Sequence, residues 1–198
     1  EMCIRDSYNW IQDNIKKVDK ATNGKVGYIY IPDMGPEGLN EFSRYFYPQL
    51  DKEGLIIDDR ANGGGNVSPM ILERLSREPY RLTMRRGSSL IGTVPDAVQV
   101  GPKVCLINKY SASDGDLFPW GFRALGLGKL IGTRTWGGII GISGPLPYMD
   151  GTDIRVPFFT SYDPKTGNWI IENHGVDPDI LIDNDPIKEW NGEDQQLD

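Results

Sequence analysis

Short apolar runs that each end in a small-residue turn constrain the fold of this chain most strongly. Residues 54–58 (GLIID) and 103–107 (KVCLI) have the length and composition of buried strands. Each run passes through a turn rich in Gly, Ser or Asp into helix-forming sequence. Strands that alternate with helices need right-handed crossovers, which make the strands parallel. The pattern therefore predicts the α/β class.

The same alternation extends to both sides of these runs. We predict two more strands and three helices, at residues 25–31 and 130–132 and at residues 36–50, 68–77 and from 114 onward. After residue 138 short strands replace the helices, with hairpin-like turns at 149–151 and 164–167. We expect a mostly parallel sheet with helices on both faces.

The N-terminal residues divide into two parts. Residues 1–7 show no periodicity that joins them to the next segment, and we predict that they are a non-native head, similar to translated adapter sequence. Residues 8–23 carry apolar residues near helical spacing and end in Thr-Asn-Gly, which predicts a docking helix. Residues 24–198 are predicted to form one domain.

Composition excludes several function classes. A formal net charge of -7 disfavours a nucleic-acid surface. Because the chain has no signal-peptide pattern and no apolar run of roughly 20 residues, we expect a cytoplasmic protein that does not bind membranes. Cys3 and Cys105 are not expected to form a disulfide. With His174 as the single histidine and no Cys-x-x-Cys, we expect no metal and no cofactor.

The turn after the second strand contains a candidate nucleophile. Residues 108–116 (NKYSASDGD) lie between an apolar strand and a helix, and such a turn lifts a Ser113 hydroxyl beside free N–H groups of the first helical turn. Ser and Asp are also favoured N-cap residues, so simple helix capping is an alternative explanation of Ser111, Ser113 and Asp114.

The turn after the first strand contains three glycines, residues 63–65. Its backbone can approach a ligand closely and present N–H groups to negative charge. No Gly-Lys-Ser/Thr follows, which disfavours a phosphate loop, and a plain tight turn remains an alternative. If both turns face one crevice, Gly64 or Gly65 and Asp114 would supply the two N–H donors of an oxyanion hole.

A third polar group lies in a strand that we predict from Trp169 up to a turn that begins at Gly175. This strand would deliver Glu172 and His174 to its end, and since residues two apart share a face, the carboxylate and the imidazole would lie side by side. That pair suggests acid–base chemistry. The alternative is that Glu172 and His174 are simply polar residues exposed to solvent at the end of a strand.

Together these segments resemble the tail-specific, or C-terminal-processing, serine peptidases, and within that family its tricorn-like branch. The similarity runs from about residue 24 to residue 183. The matching segments are, in chain order, residues 27–32 (GYIYIP), 37–40 (EGLN), 54–65 (GLIIDDRANGGG), 110–116 (YSASDGD), 131–138 (IGTRTWGG) and 172–179 (ENHGVDPD).

The resemblance implies a fold related to crotonases and Clp-type peptidases, built of stacked β-β-α units. It implies Ser113 as the acylating nucleophile, N–H groups of Asp114 and of one glycine among 63–65 as the oxyanion hole, and Glu172 as the acid of a charge relay. Many members activate serine with a lysine after Thr-aromatic-Gly. Gly138 stands at that position here, which favours a Ser-His-Glu arrangement.

The resemblance also raises the question of the base. In tricorn-like enzymes the histidine lies far upstream, before a PDZ domain and after propellers, and we expect all of these to be missing from this chain. His174 is the candidate base that remains, but its position does not correspond to that of the family's histidine. The expected protein is a serine peptidase core that cleaves short peptides and forms a homo-oligomer, nearly inactive without its base.

Two other functions are compatible with the sequence. A non-catalytic peptide-binding or assembly module would hold an extended peptide in the same crevice without cleaving it. A crotonase-like acyl-transfer enzyme would use the oxyanion hole on thioesters, with Glu172 as its acid–base group.

Overall fold

The computed structural model of the chain describes residues 2–142 and 146–198. Its helices are α1 Met2–Ala21, α2 Pro36–Phe46, α3 Ser68–Leu75, α4 Asp114–Ala124 and α5 Pro186–Trp190, with a 3-10 turn at Tyr47–Gln49. Its strands are β1 Val26–Tyr30, β2 Gly54–Asp58, β3 Arg81–Met84, β4 Ile91–Val94, β5 Lys103–Ile107, β6 Gly128–Gly132, β7 Gly141–Ile142, β8 Leu146–Pro147, β9 Asp153–Ile154, β10 Pro157–Phe159 and β11 Ile180–Leu181.

Five of these strands form one parallel sheet in the order β1-β2-β5-β6-β11. Every neighbouring pair in this sheet is parallel. The other strands form the antiparallel pairs β3/β4, β7/β10 and β8/β9. The predicted α/β fold with a mostly parallel sheet is confirmed, and all carboxyl ends of the central strands meet at one edge.

One face of the sheet carries the apolar core. Alternate residues of the strands point to this face, among them Ile57 of β2 and Ile107 of β5, and they pack against helices α2, α3 and α4. The helices contribute the aromatic residues Phe42, Phe46, Phe118 and Phe122, all of them buried.

The opposite face is held by a polar network instead. Asn14 of α1 donates to the Tyr28 hydroxyl at 3.1 Å, and this hydroxyl donates to Asp58 Oδ2 at 2.7 Å. Arg60 Nε donates to Asp58 Oδ1 at 2.8 Å, and Arg60 Nη1 donates to Asp194 Oδ1 at 2.8 Å. Through these bonds α1 and the C-terminal residues are both fixed to the sheet.

Burial and pairing act in opposite directions on Arg60. Burial lowers the pKa of its guanidinium, but the hydrogen bonds and charges of Asp58 and Asp194 outweigh burial and raise the pKa. The network therefore depends on keeping all three groups together.

Helix α1 runs antiparallel to β1. The Trp10 ring packs edge to face on Tyr30, the last residue of β1, with ring centroids 5.1 Å apart. At the other end the Val26 N–H donates to Thr22 Oγ1 at 3.1 Å. The N-terminal end of α1 therefore lies at the edge where the parallel strands end.

The N-terminal boundary that we predicted for this helix is wrong, because α1 begins at Met2 rather than at Tyr8. Residues 2–7 continue its helical backbone without a break. That residues 1–7 are a non-native head stays a prediction.

Other elements differ from the expectation in detail. Helix α2 ends at Phe46 and gives way to a 3-10 turn that contains Pro48, and α3 ends at Leu75. The turn at 149–151 joins the antiparallel strands β8 and β9, and the turn at 164–167 is closed by an antiparallel bridge between Tyr162 and Trp169. Both hairpin-like turns are thus confirmed.

Two further findings concern membrane spanning and the thiol of Cys105. Across residues 2–142 and 146–198, no helix has both the length and the apolar character needed to cross a membrane. Cys105 lies buried within β5 as a free thiol, and burial raises its pKa well above the ordinary value.

The Arg60 network yields a stability prediction. Arg60→Ala leaves the buried Asp58 carboxylate without its cation, and we expect the free energy of unfolding to fall by about 3–5 kcal/mol. Urea denaturation measures this change, with Arg77→Ala as the control. Because Arg77 pairs with Glu73 at an exposed position, its loss should cost about 0.5 kcal/mol or less. Equal losses in the two variants would contradict the assigned role of Arg60.

Candidate active site

The turns after β2 and β5 lie against each other at the carboxyl edge of the sheet. The Ala112 N–H donates to Asn62 O at 2.8 Å, and the buried Ser111 hydroxyl donates to Asp59 O at 2.8 Å. The two segments singled out in the sequence, 63–65 and 111–114, are thereby brought together.

Ser113 has an unusual backbone conformation. It lies immediately before α4 with φ 57° and ψ -119°, which residues with a side chain rarely adopt. Its hydroxyl makes no capping hydrogen bond to the helix. Helix capping therefore does not explain Ser113, and the sharp turn leaves its hydroxyl free for chemistry.

The glycine loop contacts Ser113 directly. A Cβ atom on Gly64, which has φ 95°, would lie 2.6 Å from Ser113 Cβ and 2.9 Å from Asp114 N. A Cβ on Gly65 would lie 2.0 Å from Met34 O. Only glycine fits at either position.

The N–H groups of this loop have different partners. The Gly64 N–H is already bonded to Asn62 Oδ1 at 3.0 Å. The N–H groups of Gly65 and Asp114 form no hydrogen bond with any other described residue. Of the two glycines that we predicted, Gly65 is the one whose N–H group is free to act with Asp114.

The Asp114 side chain caps a different helix from the one that it begins. Its carboxylate accepts from Ser68 N at 2.9 Å and from the Ser68 hydroxyl, at the start of α3. This pair fastens the first turn of α3 to the first turn of α4. The Asp114 donor at the start of α4 is therefore joined to the helix that follows the Gly65 loop.

A run of backbone donors follows β6. The four consecutive N–H groups of residues 137–140 all point to carboxylates. The first two donate to Asp116, at 2.7 and 3.3 Å, and the last two donate to Oε2 of Glu172, at 2.7 and 2.9 Å. One short segment thus binds the first turn of α4 and the predicted acid.

The strand predicted from Trp169 up to the turn at Gly175 is wrong, and the surroundings of His174 change with it. Only Trp169 forms a bridge, and residues 172–174 form a turn. The exposed His174 ring pairs with Asp177 Oδ2 at 2.7 Å instead of Glu172. In the part of the chain that the structure describes, no hydrogen bond joins His174 to Glu172 or Ser113.

Hydrogen bonds to His174 and Arg134 lower the pKa of the Asp177 carboxyl, with His174 as the larger cause. The His174 ring is therefore held by an exposed hydrogen bond to Asp177 beside the site. The imidazole that we predicted to lie next to Glu172 is directed elsewhere by a three-residue turn.

Asp59 is a buried carboxyl group beneath the site. It is fully buried, and within the described residues neither of its oxygens has a hydrogen-bond partner. Burial raises its pKa well above the ordinary value, and the negative charges of Asp58, Asp114 and Asp116 raise it further. Asp59 therefore retains its proton at pH values where other aspartates are ionised.

Sequence reasoning missed Asn62, Ser68 and Asp116, which fix the two turns and the loop. Their signal in the sequence was weak, because polar residues at helix starts are common and the bonds of Ser68 and Asp116 span 21 to 46 residues. Among the described side chains, no three His, Cys, Asp or Glu residues form a group able to hold a metal ion.

Comparisons with known proteins give a consistent result. The model of "Peptidase family S41" matches residues 25–182. The "Tricorn protease" of Thermoplasma volcanium is 44% identical over 177 residues, which are 89% of this chain and 17% of that protein. The "Tricorn protease" of Thermoplasma acidophilum is 42% identical over 190 residues, 96% of this chain and 18% of that protein.

A solved structure agrees with these sequences. The "Crystal structure of the tricorn protease" superposes with a TM-score of 0.87 at 41% identity, over 95% of this chain and 18% of that one. The chain thus spans about a fifth of the length of these tricorn relatives.

The close contact at Gly64 yields a prediction. In Gly64→Ala the new methyl group meets Ser113 and the backbone has a left-handed φ, so we expect a loss of about 1–3 kcal/mol in the free energy of unfolding. Gly63→Ala is the matched control, since a Cβ there meets nothing within 4 Å. Denaturant unfolding of both variants measures the difference, and equal stabilities would contradict the close approach.

Asp59 yields a pH-dependent prediction. Its folded pKa is raised, so above about pH 4 the unfolded chain ionises Asp59 while the folded chain keeps the proton, and stability falls as pH rises. Asp59→Asn removes this effect. Between pH 4 and pH 7 we expect the free energy of unfolding of the variant, relative to that of wild type, to rise by at least about 1 kcal/mol. Urea denaturation at both pH values measures the gain, and a difference that does not change with pH would contradict it.

Proposed function

Because this chain belongs to peptidase family S41, we propose that it is the catalytic core of a tricorn-like serine peptidase, which hydrolyses short peptides through an acyl-enzyme on Ser113. The observation that carries the proposal is the geometry of Ser113. Its uncapped hydroxyl stands on a strained strand-to-helix turn beside two free backbone donors.

The proposed reaction follows from this arrangement. The Ser113 oxygen attacks the peptide carbonyl carbon while a base removes the hydroxyl proton. The N–H groups of Gly65 and Asp114 stabilise the oxyanion of the tetrahedral intermediate. The carbon–nitrogen bond then breaks, the base returns the proton to the leaving amine, and water hydrolyses the acyl-enzyme in the same way.

Glu172 is the proposed acid of the charge relay. Two backbone N–H groups hold its Oε2 atom. No described hydrogen bond uses its Oε1 atom, which can therefore accept a bond from an imidazole. A carboxylate in this role orients the base and stabilises the imidazolium that forms.

We infer that the base comes from a segment before α1. His174 is bonded to Asp177 rather than to Glu172. Because Trp10 of α1 packs on Tyr30 at the carboxyl edge of the sheet, a native segment joined to this helix in place of the predicted head at residues 1–7 would start at the edge where Ser113 lies. Without that segment the polypeptide has a poised but unactivated serine, and only residual catalysis from the oxyanion hole and substrate binding is expected.

The proposal includes a cytoplasmic, homo-oligomeric protein. Leu82, Met84 and Ile91 support assembly, because they are exposed on the β3/β4 pair. Apolar side chains on an isolated two-stranded element are typical of a surface that another chain covers.

A non-catalytic peptide-binding module is the second candidate function. The observation that favours it is the pairing of His174 with Asp177, which leaves Ser113 and Glu172 without a described imidazole.

Fluorophosphonate labelling of Ser113 tests the proposal. We expect slow labelling of the chain alone, and about tenfold or faster labelling when free imidazole or a tricorn-like upstream segment with its histidine is added, since a general base contributes at least that much. Ser113→Ala should abolish labelling. His174→Ala should label as wild type does.

Other outcomes would change the assignment. Loss of labelling in His174→Ala would make His174 the base. No labelling under any condition, with retained peptide binding, would establish the binding module. Thioester hydrolysis without labelling of Ser113 would establish the crotonase-like acyl transfer instead.

A further inference from the structure

Asp116 is a buried carboxylate close in sequence to the candidate nucleophile. It lies in the first turn of α4, is 0% exposed, and accepts the N–H groups of Gly137 at 2.7 Å and Gly138 at 3.3 Å. Hydrogen bonds from the Thr135 side chain and the Ser113 backbone also favour its charged form. Nothing in the proposed reaction gives this group a chemical step.

These bonds reach the strained residue itself. A residue with φ 57° and a side chain keeps that conformation only where its surroundings fix it. The Asp116 N–H donates to Ser113 O at 2.9 Å, while the Asp116 carboxylate bonds to the Ser113 backbone. Asp116 therefore holds the Ser113 peptide through its main chain and its side chain.

The same carboxylate is linked to Glu172 by two routes. The segment 137–140 donates first to Asp116 and then to Glu172. Thr135, which bonds to Asp116, also accepts the Val176 N–H at 2.8 Å, and Val176 follows the turn that carries Glu172. Two chains of hydrogen bonds therefore connect Asp116 to the proposed acid and to the turn that carries it.

We propose that Asp116 is a positioning residue that holds the strained Ser113 backbone and, through residues 137–140, sets the position of Glu172 relative to the nucleophile. The inference rests on the proposed function, because its consequence is the reactivity of Ser113. Asp116 touches no reacting atom.

The charge of Asp116 is essential to this role. A carboxylate offers acceptors only, which suits a group of four converging donors. In Asp116→Asn one oxygen becomes an NH₂ donor that faces another donor, so at least one bond is lost while the side-chain shape is kept. Burial is the larger effect and raises the pKa of Asp116, while the hydrogen bonds to its carboxylate offset part of that rise.

Saturation kinetics of fluorophosphonate labelling, with added imidazole, test the inference. In Asp116→Asn we expect the maximal labelling rate to fall about 10- to 100-fold, the usual effect of a misplaced reacting group, while the half-saturating probe concentration stays nearly constant. Asp58→Asn is the control, since Asp58 is an equally buried aspartate on the other face of the sheet. It should lower the unfolding midpoint and leave the labelling rate of the folded protein unchanged.

A second pair of variants serves if Asp116→Asn does not fold. Thr135→Val removes one donor to Asp116 at nearly constant shape, and Thr135→Ser keeps the hydroxyl. We expect slower labelling in the first variant and wild-type labelling in the second. Labelling of Asp116→Asn or Thr135→Val at the wild-type rate would overturn the inference.

Amide hydrogen exchange separates this inference from the peptidase proposal. If wild type does not label at all, the peptidase proposal fails, but exchange still reports positioning. We expect faster exchange at Ser113, Gly137 and Gly138 in Asp116→Asn, and no change at these amides in Asp58→Asn. Unchanged protection of Ser113 in Asp116→Asn would overturn the positioning role.

Discussion

Parallel pairing of β2 with β5 is the interaction on which the rest of the site depends. In this register Asp58 lies opposite Leu106, so both strands end at the same level and their following turns meet. The contact between Asn62 and Ala112 then places the glycine loop against Ser113. A shift of one residue would reverse the faces of the strand and separate the two turns.

The sequence predicts elements best where an apolar run is bounded by turn residues. The bounds predicted for β2 and β5 agree with the structure, because each is a continuous run with a clear stop. Residues 169–171 are equally apolar, but among them only Trp169 pairs with another segment. Whether a run of this kind has a neighbouring strand depends on distant parts of the chain. The same limit applies to the site. The adjacency of Ser113 and the glycine loop follows from the fold class. The partners of Asp116 and His174 depend on turns whose geometry cannot be predicted from the neighbouring sequence.

Buried aspartates near the site differ in their partners rather than in their burial. Asp114 and Asp116 accept hydrogen bonds from helix starts and loop amides, whereas Asp59 has no described partner. Enclosed acceptors of the first kind tie separate elements together. The Asp59 carboxyl group lowers the stability of the fold, because it is buried without such donors. Identical side chains thus stabilise or destabilise the fold according to the donors around them.

The direction of α1 has a consequence for any segment joined to it. Trp10 of this helix packs on Tyr30, the last residue of β1, so a native segment that replaces the predicted head at residues 1–7 begins at the carboxyl edge of the sheet. A group attached there is tethered, so its encounter with the crevice is intramolecular and is governed by an effective concentration that the length of the connecting segment sets. A side chain delivered in this way needs no affinity of its own for the catalytic crevice, because the covalent connection replaces binding.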